Sequence, residues 1–174
     1  MSVLTQRMQR AMRLDPEVFE DIEKDDTATG QALLVVVLAA VCAGIGGAGL
    51  GGLQGVIALV IGSLVGWLLW AAIIYLVGGR LLAQSQTQVD MGQLLRTMGL
   101  AQAPGVLRIF GVIPLLGGLV VLVAQVWMLA SMIIAVRQAL DFSSTARAIV
   151  VVMLGFLGYL LALSLIAGLF GLRI

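Results

Sequence analysis

The sequence predicts an all-α integral membrane protein: a five-span helical bundle with a short amphipathic cytoplasmic N-terminal region. Three observations predict it. Of 174 residues, 61% are hydrophobic and only 11% charged, where soluble domains carry about 25% charged residues. No charged residue falls from Gln31 to Gly79, and that stretch holds two apolar runs of about 20 residues, each enough to cross roughly 30 Å of hydrocarbon as a helix. The charges concentrate instead in Met1–Asp26. The chain divides into residues 1–30 and a membrane domain, 31–174, with spans at about 31–53, 55–78, 93–113, 115–137 and 147–172.

The first 30 residues are too polar for a cleavable signal peptide, so the first span is expected to act as an uncleaved signal-anchor. Val3, Leu4, Met8, Ala11 and Met12 share helical spacing, with Arg7, Arg10 and Arg13 largely off that stripe. Such a helix can lie on an anionic membrane face or dock on the membrane domain. Asp15-Pro16 is a helix start, with the aspartate as N-cap and proline at the first helical position. The helix that follows sets Val18, Phe19 and Ile22 against Glu17, Glu20, Asp21 and Glu23. Thr27 or Thr29 is expected to cap the first span.

The first two spans form a hairpin around the glycine-rich stretch 44–55. Gly47, Gly51 and Gly55 recur every four residues, as do Ala58, Gly62 and Gly66, so each helix is expected to show a groove of small residues for close helix packing. Gly44-x-Gly46-x-x-Gly49 also fits a dinucleotide fingerprint, but no strand precedes it and no acid follows at the required distance. The third segment, Leu94–Ile113, carries Arg96, Gln102 and Arg108 and is broken at Pro104-Gly105. It reads as a kinked span or a re-entrant piece. Either is tolerated only where protein or water satisfies the freed backbone groups. Pro114 opens the fourth span, Arg137 and Arg147 bracket the next short loop, and the last span runs to the C-terminus.

Lysines and arginines orient the chain. With five spans, 8 lie on the cytoplasmic side and 2, Arg108 and Arg173, outside; with a re-entrant third segment the division is again 8 to 2. The N-terminus is cytoplasmic either way, and charge alone leaves the span number open.

Composition also excludes chemistry. Histidine is absent and Cys42 is the single cysteine, which removes imidazole proton shuttling and the common zinc sites. Paired carboxylates occur only in the N-terminal helix. No catalytic, metal or cofactor-binding residue is expected, and a net charge of +1 gives no field for nucleic acid.

Leu14-Asp15-Pro16-Glu17-Val18-Phe19-Glu20-Asp21-Ile22-Glu23, then Ala28-Thr29-Gly30-Gln31-Ala32, and further on Leu94-Leu95-Arg96-Thr97-Met98-Gly99-Leu100-Ala101-Gln102-Ala103-Pro104-Gly105, resemble prokaryotic members of the Ypt-interacting-protein (YIP) domain family. The resemblance covers essentially the whole chain. It implies five spans, a cytoplasmic N-terminus and an outward C-terminus. Eukaryotic relatives are associated with Rab-type GTPases, vesicle traffic and membrane shaping. This chain lacks the long N-terminal region of many such relatives and any Asp-Leu-Tyr motif, which leaves GTPase binding doubtful.

The functional expectation is a non-enzymatic multi-pass protein of the bacterial cell (inner) membrane, acting by helix packing with lipids, other membrane proteins or itself. It would be a membrane organiser or an accessory subunit of a larger membrane complex. Arg96, Arg108, Arg137 and Arg147 are the expected contacts to lipid headgroups or partners, and for Arg96 and Arg108 the competing reading is snorkelling to the nearer interface. Gln125, Trp67, Trp70 and Trp127 read as packing residues inside the spans. The alternative function is a small-solute or lipid transporter using the segment broken at Pro104.

Overall fold

The computed structural model describes residues 2–47 and 52–169, all helical or connecting chain with no strand among them. Gly51, one of the expected packing glycines, lies outside the described residues. Seven α-helices follow in order: α1 (Val3–Met12), α2 (Pro16–Glu23), α3 (Thr29–Gly46), α4 (Gly52–Leu76), α5 (Met91–Leu100), α6 (Gly117–Ala139) and α7 (Thr145–Leu169). Four helical stretches are long and apolar enough to cross a membrane: Asp26–Gly46, Gly52–Leu81, Gly117–Ala139 and Thr145–Leu165.

Local chemistry sets the N-terminal hairpin. Ser2 caps α1 through the amide of Thr5, and Asp15 caps α2 through that of Glu17, with Pro16 in its first turn. Between them Leu14 takes a left-handed backbone, φ 60°, and reverses the chain. Asp25, neither of the threonines, caps the turn leading into α3, accepting from the amide and hydroxyl of Thr27. An aspartate directly before the 3₁₀ turn Asp26–Ala28 already offers a carboxylate to the free amides, so the threonine is drawn to it rather than to the backbone. Ala11, Val18, Phe19 and Ile22 are fully buried. The hairpin is docked on the bundle, packed against α5 and α6, and Trp127 of α6 donates its indole N–H to the carbonyl of Met12, 2.8 Å away.

The broken segment is the organising feature. Asp90 and Gln93 form a capping box that opens α5. The α-helix ends at Leu100, ahead of the proline, and the chain continues as a 3₁₀ helix, Ala103–Val112, with Pro104 in its first turn. This segment runs alongside α3 in the same direction. Gly99 lies on Ala32, Gly105 on Ala39, and Gly111 on the backbone of Gly46. A Cβ on Gly117 would overlap the carbonyl of Gly111, so the turn into α6 closes only around glycine there.

The loops at the opposite end lock together. The Thr87 hydroxyl donates to the carbonyl of Leu140 at 2.9 Å, the Ser143 amide to Gln84, and Arg147 to the carbonyl of Leu82. Gly78 admits Leu140 and Val151 against the end of α4. The connection before α5 and the connection after α6 therefore meet, while the turn between the 3₁₀ segment and α6 lies beside the far end of α3.

Candidate functional site

Polar groups inside the bundle gather around the 3₁₀ segment. Arg108 folds back over its own helix: Nε donates to the carbonyl of Gly105 at 3.2 Å and one terminal nitrogen to that of Ala39 at 3.0 Å. Ala39 lies ten residues into α3, about 15 Å along its axis at the α-helical rise. Among the described residues no carboxylate forms an ion pair with Arg108. Arg108 lines a cavity of about 910 Å³ bounded by α4, α6 and α7, as do Gln102 and Gln125. The rest of the lining is largely apolar, with Trp67, Trp70, Phe156 and Tyr159 as its large rings.

Trp67 and Trp70 hold their indole N–H groups buried without an acceptor. Trp70 packs at a tilt against Phe156 and Tyr159, with ring centres 6.5 and 6.3 Å apart. Gly62 faces open space, and Gly66 faces the Tyr159 hydroxyl. These small residues leave room along α4, and the cavity occupies it.

Arg96 is placed differently from Arg108. It is 5% exposed, ion-paired with Asp26 at 3.0 Å, and donates to the carbonyl of Glu23. It thus ties α5 to the junction between the N-terminal hairpin and α3. Asp26 and Ala39 are 13 residues apart on one helical run, so the two arginines lie at levels about 20 Å apart along it. Arg137 stitches the α6–α7 loop, donating to the Phe142 carbonyl and the Thr145 hydroxyl. Arg147 holds the Leu82 carbonyl and lies over the Phe142 ring. The structure therefore separates the four arginines, with Arg137 and Arg147 at loop ends, Arg96 buried in the middle of α5 and Arg108 on the cavity.

The glycines divide too. Close approach within the α3–α4 hairpin falls at Gly44, where a Cβ would press on Val56. Gly62 and Gly66 point to the cavity and to α7. Pro104 and Gly105 are buried, Gly105 between Ala39 and Met128.

Two residues carry contacts that the sequence did not signal. Trp127 anchors the N-terminal hairpin through a backbone carbonyl, for which no side-chain pattern exists. Glu23 is buried with one carboxylate oxygen unpartnered. Burial pushes its carboxyl up to about 7, with Asp141 adding to the shift. Asp25, in contrast, is held below the usual carboxylate range by the Thr27 hydroxyl and Arg7.

No curated protein matches the chain. No solved structure matches it either. A family model described as Yip1 domain matches residues 11–165, a range that takes in α2, all four long apolar helices to within their last residues, and the broken segment with Arg108. With this match beside four membrane-length helices, the protein is a multi-pass membrane protein, and the chain belongs to the Yip1 domain family.

Proposed function

We propose that the protein is a non-enzymatic, five-crossing member of the prokaryotic branch of its family, seated in the bacterial cell membrane with its N-terminus in the cytoplasm. It acts by contact with lipids and with other membrane proteins, as a membrane organiser or an accessory subunit. The fifth crossing is the α5–3₁₀ segment. Its course beside α3, and the meeting of the Gln84 and Ser143 loops at one end, support that reading.

The distribution of polarity carries the functional reading. Past Asp26 at the edge of the first, the four long helical stretches contain no Asp or Glu, where proton-coupled transport ordinarily relies on an intramembrane acid. The outward surface is apolar, with Ile57, Ile61, Val65, Leu122, Val126, Leu157 and Leu161 all about half exposed or more. The single charge set deep among the helices, Arg108, faces an apolar cavity. Arg137 and Arg147, at the ends of α6 and α7, are the arginines offered to headgroups or partner proteins, while Arg96 is taken up by Asp26 and the Glu23 carbonyl, and glycine faces serve helix packing.

Gentle solubilisation followed by mass spectrometry of co-purifying molecules tests this. Retained lipids or a recurrent membrane protein are expected. A protein recovered with neither sinks the reading. The cavity beside Pro104 favours a second reading, lipid transport, and lipid movement between leaflets of reconstituted vesicles would move the assignment there.

A further inference from the structure

We infer that the cavity between α4, α6 and α7 is a binding site for an anionic amphiphile, with the acid group on Arg108 and an acyl chain along the apolar wall of α4. The inference rests on the lipid-contact reading above and names the ligand class.

Three observations converge on it. The volume of about 910 Å³ is at the upper end of the roughly 300–1,000 Å³ of small-molecule sites. Its lining is mostly hydrocarbon and aromatic, with Arg108 the one charged residue among a few polar ones. That is the division of a molecule with one charged head and a long tail. Arg108 carries an uncompensated charge, since its bonds run to two neutral carbonyls and no described carboxylate reaches it. A half-buried cation without a counter-ion carries a desolvation cost, and an arginine fork matches carboxylate or phosphate oxygens.

Access is lateral. Leu59, Val126, Leu129, Met153 and Phe156 line the cavity and are also exposed on the flank of the bundle. A ligand therefore enters from the surrounding bilayer with its chain already in hydrocarbon, each buried methylene being worth about as much in either place. Selectivity then falls on the head, through Arg108. An anion is taken and a zwitterion or neutral lipid of equal chain length is not.

The test is native mass spectrometry of the delipidated protein in a neutral detergent, titrated with oleate, phosphatidylglycerol, phosphatidylcholine and a monoacylglycerol. Arg108→Gln keeps an amide donor near the Ala39 carbonyl but removes the charge. Gly62→Phe fills the cavity at a position with nothing within 4 Å of an added Cβ. Oleate or phosphatidylglycerol should bind in preference to the other two, and the stronger of them identifies a free carboxylate or a phosphodiester as the natural head. Both substitutions should weaken that binding about tenfold or more, the loss expected for a charge-assisted contact. Should Arg108→Gln fail to fold, Gly62→Phe decides alone. Equal binding of anionic and neutral lipids, or unchanged binding in a folded variant, overturns the site. Lipid that co-purifies with wild type and Gly62→Phe alike would sink this inference and leave the lipid-contact reading standing.

Discussion

Gly105 lies so close to Ala39 that a Cβ built on the glycine would stand 3.0 Å from the alanine methyl, with Met128 Sδ at 3.0 Å and Arg108 at 3.2 Å on its other sides. Three elements meet at that point, and although the ends of Met128 and Arg108 can shift, the Ala39 methyl is fixed to the backbone of α3. Gly105→Val should therefore destabilise by about 1–3 kcal/mol, the usual cost of overpacking a closed site. Gly62→Ala, into open space, should be neutral. Thermal unfolding in detergent distinguishes them, and equal melting temperatures would mean the 3₁₀ segment is not clamped to α3.

The membrane helices were legible because length and apolar composition decide them with little help from context. The Asp15-Pro16 helix start was legible for a similar reason: capping is local. The glycine code was not. Packing was sought at four-residue spacing, the repeat of one α-helix on another. The actual contacts pair Gly99, Gly105 and Gly111, six apart, with Ala32, Ala39 and Gly46, seven apart. Seven α-helical residues rise about 10.5 Å, and six residues of mixed α and 3₁₀ helix rise about 9–12 Å, so the two registers stay matched. Nothing in the sequence announces a 3₁₀ run of that length. Nor does it announce the cavity: Gly62 and Gly66 leave room along α4, but that this room opens between α4, α6 and α7 is a relation among helices that no single helix carries.

Arg96 should act as the latch of the N-terminal hairpin. Arg96→Met keeps the bulk but leaves the Glu23 carbonyl unpartnered and Asp26 without its ion pair. A loss of about 1–3 kcal/mol is expected for a buried acceptor left unsatisfied. The readout is limited trypsin cleavage after Lys24, which should quicken in Arg96→Met, with the membrane bundle otherwise intact. Cleavage at the wild-type rate would show that the hairpin is held by Phe19 and Ile22 alone.

Glu23 should make that docking sensitive to pH. Burial is the main cause of its raised value, Asp141 and Glu20 add to it, and Lys24 and Arg96 oppose it. The folded carboxyl, at about 7, holds its proton more tightly than the unfolded one at 4.5. Its contribution is therefore complete below about pH 4.5 and fades as pH rises through 7, on the order of 3 kcal/mol at most. Melting temperature measured across that window should fall with rising pH in the wild type, beyond any slope shared with Glu23→Gln. The variant should also be the more stable of the two at pH 8. Parallel curves would place the Glu23 carboxylate in water.

Membrane topology gives the most decisive test, because two arrangements of the third segment place the same residues on opposite sides. If the α5–3₁₀ segment crosses, Leu115 lies outside the cell while Ser85 and Ser143 share the cytoplasmic face. If the segment turned back on itself, Leu115 would be cytoplasmic and Ser143 external. The Ser143 amide donates to Gln84, so the two loops meet at one end of the bundle, the arrangement expected of a crossing segment followed by α6. Single cysteines at these three positions, in a Cys42→Ala background, can be labelled with a membrane-impermeant maleimide on whole cells. All three side chains are exposed, so reactivity reports sidedness rather than burial. Leu115→Cys should label on intact cells, and Ser85→Cys and Ser143→Cys only after permeabilisation. Labelling of Ser143→Cys from outside would overturn the five-crossing bundle, and with it the depth assigned to Arg108.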